Sequence, residues 1–254
     1  MDEMNEVLEE IITTGLVTVP TTGERKPVHS HISPQAGDFL RDLVRNENPK
    51  VIVEIGLAFA ISALYICDAL EVREDTRYVA IDPNQYGGQW GNDWEGTGLS
   101  NLERANYADF VELIEKPSFE ALPALEAEGI KADFAFIDGW HTFDHALIDF
   151  FYLDRILRVG GIIAMDDSDW PAIRKLCRFI ATNRAYSVVG KVGEETAPSW
   201  RHRCLKGGIS STPFRRLIKP EILTSARDLK IDGSFVAFRK MKDDDRRWDH
   251  YRAF

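Results

Sequence analysis

The chain has 254 residues and a formal charge of -10, long enough for one large domain with a well-buried core and too acidic for a general affinity for nucleic acid or anionic membranes, which depends on cations facing phosphates. Cys67, Cys177 and Cys204 are too few and too widely spaced for a disulfide framework or a zinc knuckle, and read as buried small apolar residues or incidental thiols. No apolar run approaches the ~20 residues of a membrane span, and Met1-Asp2-Glu3-Met4 lacks the basic-then-apolar pattern of a signal peptide, so the expected compartment is the cytoplasm.

In residues 2–16, Val7, Leu8, Ile11 and Ile12 stand at helical spacing among acids. A turn-rich stretch, Val19-Pro20-Thr21-Thr22-Gly23, follows. Ser33-Pro34 then opens a second helix, with Ser33 as N-cap and Pro34 in the first helical position. After residue 50 the pattern alternates: strand 51–55 and helix 60–72, strand 78–82 and a helix near 100–107, a short strand near 110–115 and helix 118–128. Strand 133–138 and helix 142–157 come next, then strand 161–166 and helix 170–182, with Ser234-Phe235-Val236-Ala237-Phe238 as a last strand. Short β runs separated by helical periods predict an α/β fold, a Rossmann-like, doubly wound, mostly parallel sheet with helices on both faces. The expected organisation is a helical extension over 1–32, a main domain over 33–240 and a charged tail over 241–254.

Two stretches break this rhythm. Residues 84–100 carry five glycines with Trp90 and Trp94, too many glycines for a regular element. Residues 199–219 carry Arg201, Arg203, Lys206, Arg215, Arg216 and Lys219 without an acid, which suits either a solvated loop or a binding loop.

Four apolar runs end in carboxylates. Val51-Ile52-Val53 leads into Glu54-Ile55-Gly56, and Tyr78-Val79-Ala80-Ile81 into Asp82. Phe134-Ala135-Phe136-Ile137 ends at Asp138-Gly139-Trp140-His141, and Ile162-Ile163-Ala164-Met165 at Asp166-Asp167. In an open α/β sheet, ligands bind beyond the carboxyl ends of the strands, so these acids are expected around one crevice. Asp82 is placed like an acid that accepts hydrogen bonds from ribose hydroxyls. The turn Glu54-Ile55-Gly56-Leu57-Ala58-Phe59-Ala60 lacks the Gly-x-Gly-x-x-Gly layout that admits a pyrophosphate, which disfavours a dinucleotide. The competing role for each acid is to cap the following helix.

His141, His145 and Asp149 recur every four residues, on one helix face. His141-Thr142-Phe143-Asp144-His145 copies the spacing of a zinc-protease helix, but Thr142 stands where the catalytic Glu is required. His145 reads as a histidine bonding within its helix or to Asp149. His141, at the strand-to-helix turn, suits function and structure equally. His29 and His31 precede the Ser33 cap; either could line the site, and a surface role is the expectation.

With these residues in view, the chain resembles the class I S-adenosylmethionine-dependent methyltransferases, and among them small O-methyltransferases of the catechol O-methyltransferase-like group and related bacterial families. The resemblance covers residues 28–240. It rests on Val-Glu54-Ile-Gly56, Ala-Ile-Asp82, Lys-Pro-Ser118-Phe-Glu, Phe-Ile-Asp138-Gly-Trp140-His141, and Leu-Arg-Val-Gly160-Gly161 followed by Asp166-Asp167. It implies a seven-stranded sheet with an antiparallel C-terminal strand and S-adenosyl-L-methionine as cofactor. Glu54 and Gly56 match the turn supporting the methionine end, Ser62 a hydroxyl contacting its carboxylate, and Asp82 the ribose ligand. Ser118 and Phe119 match the segment beside the adenine, and Trp140 an aromatic packing on it. Asp138, Asp166 and Asp167 match a divalent-metal triad for Mg²⁺ or a similar cation, in which the family often has Asn last. His141 falls where catechol-type enzymes carry a lysine general base. Asp138 is shared by the metal, cofactor and catalytic sets. Ala60 departs from the family's glycine, and Asp167 suits a metal ligand or a cap for the helix after it.

The function so implied is methyl transfer to a hydroxyl of a small metabolite, with Trp90, Trp94, Trp170 and Trp200 as candidates for an apolar wall. The basic 199–219 stretch would favour an anionic acceptor, and the N-terminal helix is a candidate homodimer contact. Two alternatives stay open: a nicotinamide-dependent oxidoreductase, and a non-catalytic module that binds S-adenosylmethionine without turnover.

Overall fold

Seven strands form one sheet in the order β5-β4-β3-β6-β7-β9-β8. They are β3 (Val51–Ile55), β4 (Arg77–Ile81), β5 (Val111–Ile114), β6 (Ala132–Ile137), β7 (Leu157–Met165), β8 (Tyr186–Val192) and β9 (Phe235–Lys240). The first five run parallel, and β9 is antiparallel to both β7 and β8. The computed structural model describes residues 4–88, 93–193 and 224–254. The basic stretch 199–219, Trp90, Trp200 and Cys204 lie outside them.

Strand residues alternate between two cores, as the two-residue period of a strand requires. Ile52, Tyr78, Phe134, Phe136 and Ile162 join one buried cluster, with side chains of α1 (Glu6–Thr14), α2 (Pro34–Glu47), α3 (Ile61–Ala69) and α4 (Thr97–Arg104). Their neighbours Val53, Val79, Ala135, Ile137 and Ile163 join the other, with α5 (Ser118–Ala127), α6 (Phe143–Ile156) and α7 (Pro171–Asn183). The sheet is thus doubly wound, with apolar residues on both faces of its central strands. Val7, Leu8 and Ile11 of α1 share the first cluster.

Local chemistry sets the helix ends. Ser33 accepts from the Ala36 amide at 3.2 Å, Pro34 takes the first turn of α2, and Asn48 closes the helix in the left-handed region. The glycine-rich stretch still enters a helix, three residues before the expected start. Gly96 supplies φ 69° at the N-cap of α4, and a Cβ on Gly98 would lie 2.3 Å from the Ala58 carbonyl oxygen. Close approach to the β3–α3 loop, rather than helix propensity, is what Gly98 provides there.

The hairpin of β1 (Leu16–Thr18) and β2 (Arg25–Pro27) and the edge strand β8 were not legible as strands. In β8 the alternation is broken by a register shift between Val188 and Gly190. Most of the tail after Lys240 is exposed. It still touches the body, for Arg246 lies 5.5 Å over the Phe179 ring and Phe254 packs edge-on against the same ring. Among the described residues, no helix is long and apolar enough to cross a membrane.

Candidate active site

The order of strands reverses between β3 and β6, and the registers Ile55–Ile81, Ile55–Ile137 and Ile137–Met165 align four carboxyl ends at one edge. A cavity of about 690 Å³ opens there, at the position where open α/β sheets bind ligands. Gly56, Ser62, Asp82, Ser118, Phe119, Asp138, Trp140, His141, Asp166 and Asp167 all line it, whereas Glu54 lies beneath.

The floor is the β3–α3 turn. Gly56 has φ 92°, and a Cβ there would sit 2.1 Å from the backbone oxygen of Asp138, so only glycine lets the β3 and β6 loops touch. Ala58 and Ala60 also adopt positive φ, 47° and 64°, which costs an L-residue about 1 kcal/mol or more. Asp82 holds this turn in place. Its Oδ2 accepts from the amides of Leu57 at 3.1 Å and Ala58 at 2.7 Å, and its Oδ1 from Asn84 at 2.8 Å. Asp82 therefore buttresses the loop as well as bordering the cavity, and it caps no helix.

Glu54 is fully buried. Ser62 donates to its Oε1 at 2.5 Å and Tyr78 to its Oε2 at 2.8 Å. Burial pushes its carboxyl up to about 8, against the pull of those two donors.

The far wall carries the acids. His141 Nε2 lies 3.3 Å from Asp138 Oδ1 and 3.0 Å from Asp167 Oδ2. These two hydrogen bonds hold the imidazolium up to about 10. Burial raises the Asp138 carboxyl, and burial followed by the charges of Asp138 and Asp167 pushes Asp166 up to about 8. One ligating atom each from Asp138, His141 and Asp167 falls within 4.8 Å of the others. This group differs from the expected triad: His141 is in it and Asp166 is not.

Asp167 caps no helix either. It has φ 48°, α7 starts at a Trp170 N-cap without a side-chain bond, and Ser168 Oγ donates to Gly233 instead. An oxygen-rich group with one imidazole suits a hard divalent cation.

Aromatic rings form the rim. Trp140 stacks on His145 with centroids 5.2 Å apart and planes 15° off parallel, and Phe119 lies 6.2 Å from the same imidazole. His145 Nδ1 meets Thr142 Oγ1 at 3.0 Å. Ser118 hydrogen-bonds the buried Asp149, whose carboxyl burial pushes up to about 6. At the opposite end His29 packs edge-on to Phe59 at 5.1 Å and 5.6 Å from Trp94. His29 and His31 thus border the cavity and are exposed at its mouth. Ile32 and Asn84, also at the cavity, were absent from the sequence reading, and Phe59 stood in it only as part of the β3–α3 turn; Ile32 arrives with the N-terminal segment and Asn84 with the loop after β4. Lys26 anchors that segment through an ion pair with Glu95 at 2.6 Å.

Residues 53–168 match the model of a protein family described as a methyltransferase domain. A caffeoyl-CoA O-methyltransferase of Stellaria longipes is 28% identical over 159 residues, 58% of this chain and 60% of that protein. A flavonoid 3',5'-methyltransferase of Vitis vinifera is 28% identical over 137 residues, 53% of this chain and 54% of that one. The chain spans only about half the length of the curated relatives it matches. The O-methyltransferase from Bacillus cereus, solved in complex with SAH, superposes with a TM-score of 0.61 at 21% identity, covering 94% of this chain and 93% of that one. Residues 53–168 thus resemble a methyltransferase domain, and the sheet order and superposition give the chain the Rossmann-like fold of a solved O-methyltransferase.

Proposed function

We propose that the chain transfers a methyl group from S-adenosylmethionine to a hydroxyl of a small metabolite. The observation that carries this reading is that Asp82 and the Asp138–His141–Asp167 group face one cavity. One end therefore offers an acid for ribose hydroxyls, and the other a device for deprotonating an acceptor. S-adenosylmethionine supplies a methyl group on a positively charged sulfur, an electrophile that needs an oxygen nucleophile opposite it.

In this reading the Gly56 turn and Ser62 receive the methionine end, Asp82 the ribose, and Ser118, Phe119 and Trp140 the adenine. A hydroxyl is a poor nucleophile until it loses its proton. His141 is the nearest candidate base, but Asp138 and Asp167 keep it protonated at neutral pH. It accepts a proton only when that pull is relieved. Asp138 and Asp167 would hold a divalent cation beside His141; the cation would supply Lewis acidity to the acceptor oxygen and offset the two carboxylates, leaving the imidazole free as the base. Positioning of acceptor and donor in line contributes the rest. The relatives named for caffeoyl-CoA and flavonoids make such hydroxylated aromatics the first acceptors to try.

The test is methyl transfer from labelled S-adenosylmethionine to an acceptor panel, with Mg²⁺ or with excess chelator. Transfer that falls at least tenfold on chelation, and again in Asp138→Ala, is expected. Full activity in chelator removes the cation, and an unchanged pH–rate profile in His141→Gln removes the base. Heat protection by a nicotinamide dinucleotide but not by S-adenosylhomocysteine would favour an oxidoreductase.

A further inference from the structure

Beneath the methionine end lies an arrangement of protons that cannot stay as it is once a ligand carboxylate arrives. Ser62 has one hydroxyl proton, and while Glu54 is ionised that proton goes to Glu54. Ser62 also lines the cavity at the first turn of α3, where helix amides favour an anion. A carboxylate has only lone pairs to offer, so Ser62 must turn its proton toward it. The serine oxygen and Glu54 Oε1 would then face each other at 2.5 Å with no hydrogen between them.

We infer that Glu54 is a positioning residue that binds a proton when the amino-acid end of the ligand docks, and as a neutral acid donates to Ser62 so that Ser62 donates to the ligand carboxylate. The inference rests on the S-adenosylmethionine reading given above. The proton comes from solvent and no covalent bond other than its own is made.

The surroundings favour the neutral form. Glu54 is 0% exposed, and the groups facing it are Tyr78 from β4, Cys67 and Ser62 from α3, and the carboxylates of Asp138 and Asp82 across the turn. Not one of them is a cation. Tyr78 keeps donating to Oε2 whichever way the Ser62 proton points. Burial already lifts the Glu54 carboxyl to about 8, so the linkage becomes visible above that pH.

Calorimetric titration with S-adenosylhomocysteine, in buffers of different ionisation enthalpy at pH 6.5 and 9, reads proton uptake directly. The carboxylate-free analogue S-adenosyl-3-thiopropylamine, which keeps the amine, is the control. Expected is an uptake at pH 9 larger by nearly one proton for S-adenosylhomocysteine than for the analogue. Its affinity should fall about tenfold per pH unit above the free Glu54 value relative to the analogue. In Glu54→Gln, whose amide can donate to Ser62 without titrating, that difference in slope disappears. Equal uptake for both ligands, or a slope that persists in Glu54→Gln, overturns the inference while leaving the methyl-donor reading intact. No binding of S-adenosylhomocysteine at either pH overturns both.

Discussion

Gly56 carries the strictest steric demand at the site. Its φ of 92° and the 2.1 Å at which an added Cβ would meet the Asp138 oxygen leave no side chain that fits without moving backbone. Gly56→Ala should destabilise the protein by about 3 kcal/mol and weaken S-adenosylhomocysteine binding, measured by denaturant melts and calorimetry. A variant with wild-type stability and affinity would show that the two loops can part. Ala60 is the opposite case. Replacing it with glycine relieves left-handed strain worth about 1 kcal/mol but removes a buried methyl worth about 0.8 kcal/mol, so the departure from the family's glycine is nearly neutral for the fold. The acids and Gly56 were legible because each follows an apolar run that could only be a buried strand. The partners that occupy them were not: Tyr78 under Glu54, and the Leu57 and Ala58 amides on Asp82, are contacts between segments distant in sequence.

At the level of elements, boundaries follow from side chains that satisfy helix ends. Ser33 is such a residue, and Ser33→Ala should cost about 1 kcal/mol and lower Tm by about 2–4 °C, a loss Ser33→Asp should recover. An unchanged melt in Ser33→Ala would mean that Pro34 alone starts α2. The parallel strands and the helices between them were readable from periodicity because both faces of the sheet are covered. The β1–β2 hairpin was hidden because its strands are three residues each, too short for a period to show. The edge strand β8 was hidden because Gly190 interrupts its alternation, and a Cβ there would meet the Phe39 ring at 2.4 Å. What periodicity misses here is set by packing against a neighbour.

For the whole molecule, the protonation of the site dominates the response to pH. Glu54 rises from 4.5 to about 8, Asp166 from 3.8 to about 8 and His141 from 6.5 to about 10. In each case the folded chain retains a proton that the unfolded chain has released, so stability falls as pH rises through these windows. Groups shifted the other way, such as Asp133, Glu47 and Asp244, lose their contribution only in acid. Without added metal, Tm should therefore be higher at pH 5.5 than at pH 8.5, and Asp166→Asn should flatten the decline. A Tm that climbs between those values would mean that the acids ionise freely in the fold. The edge-packed and tilted His29, Phe59 and Trp94 rings and the half-exposed Lys26–Glu95 pair differ in what they contribute, since solvent and salt screen an exposed ion pair.

The contact of Gly56 with Asp138 has a mechanical sequel. The loop that would seat the methyl donor and the loop that bears the acid cluster are geared together through one backbone touch. Neither loop has room to shift toward the other at that point, so a change in the position of one is felt by its neighbour.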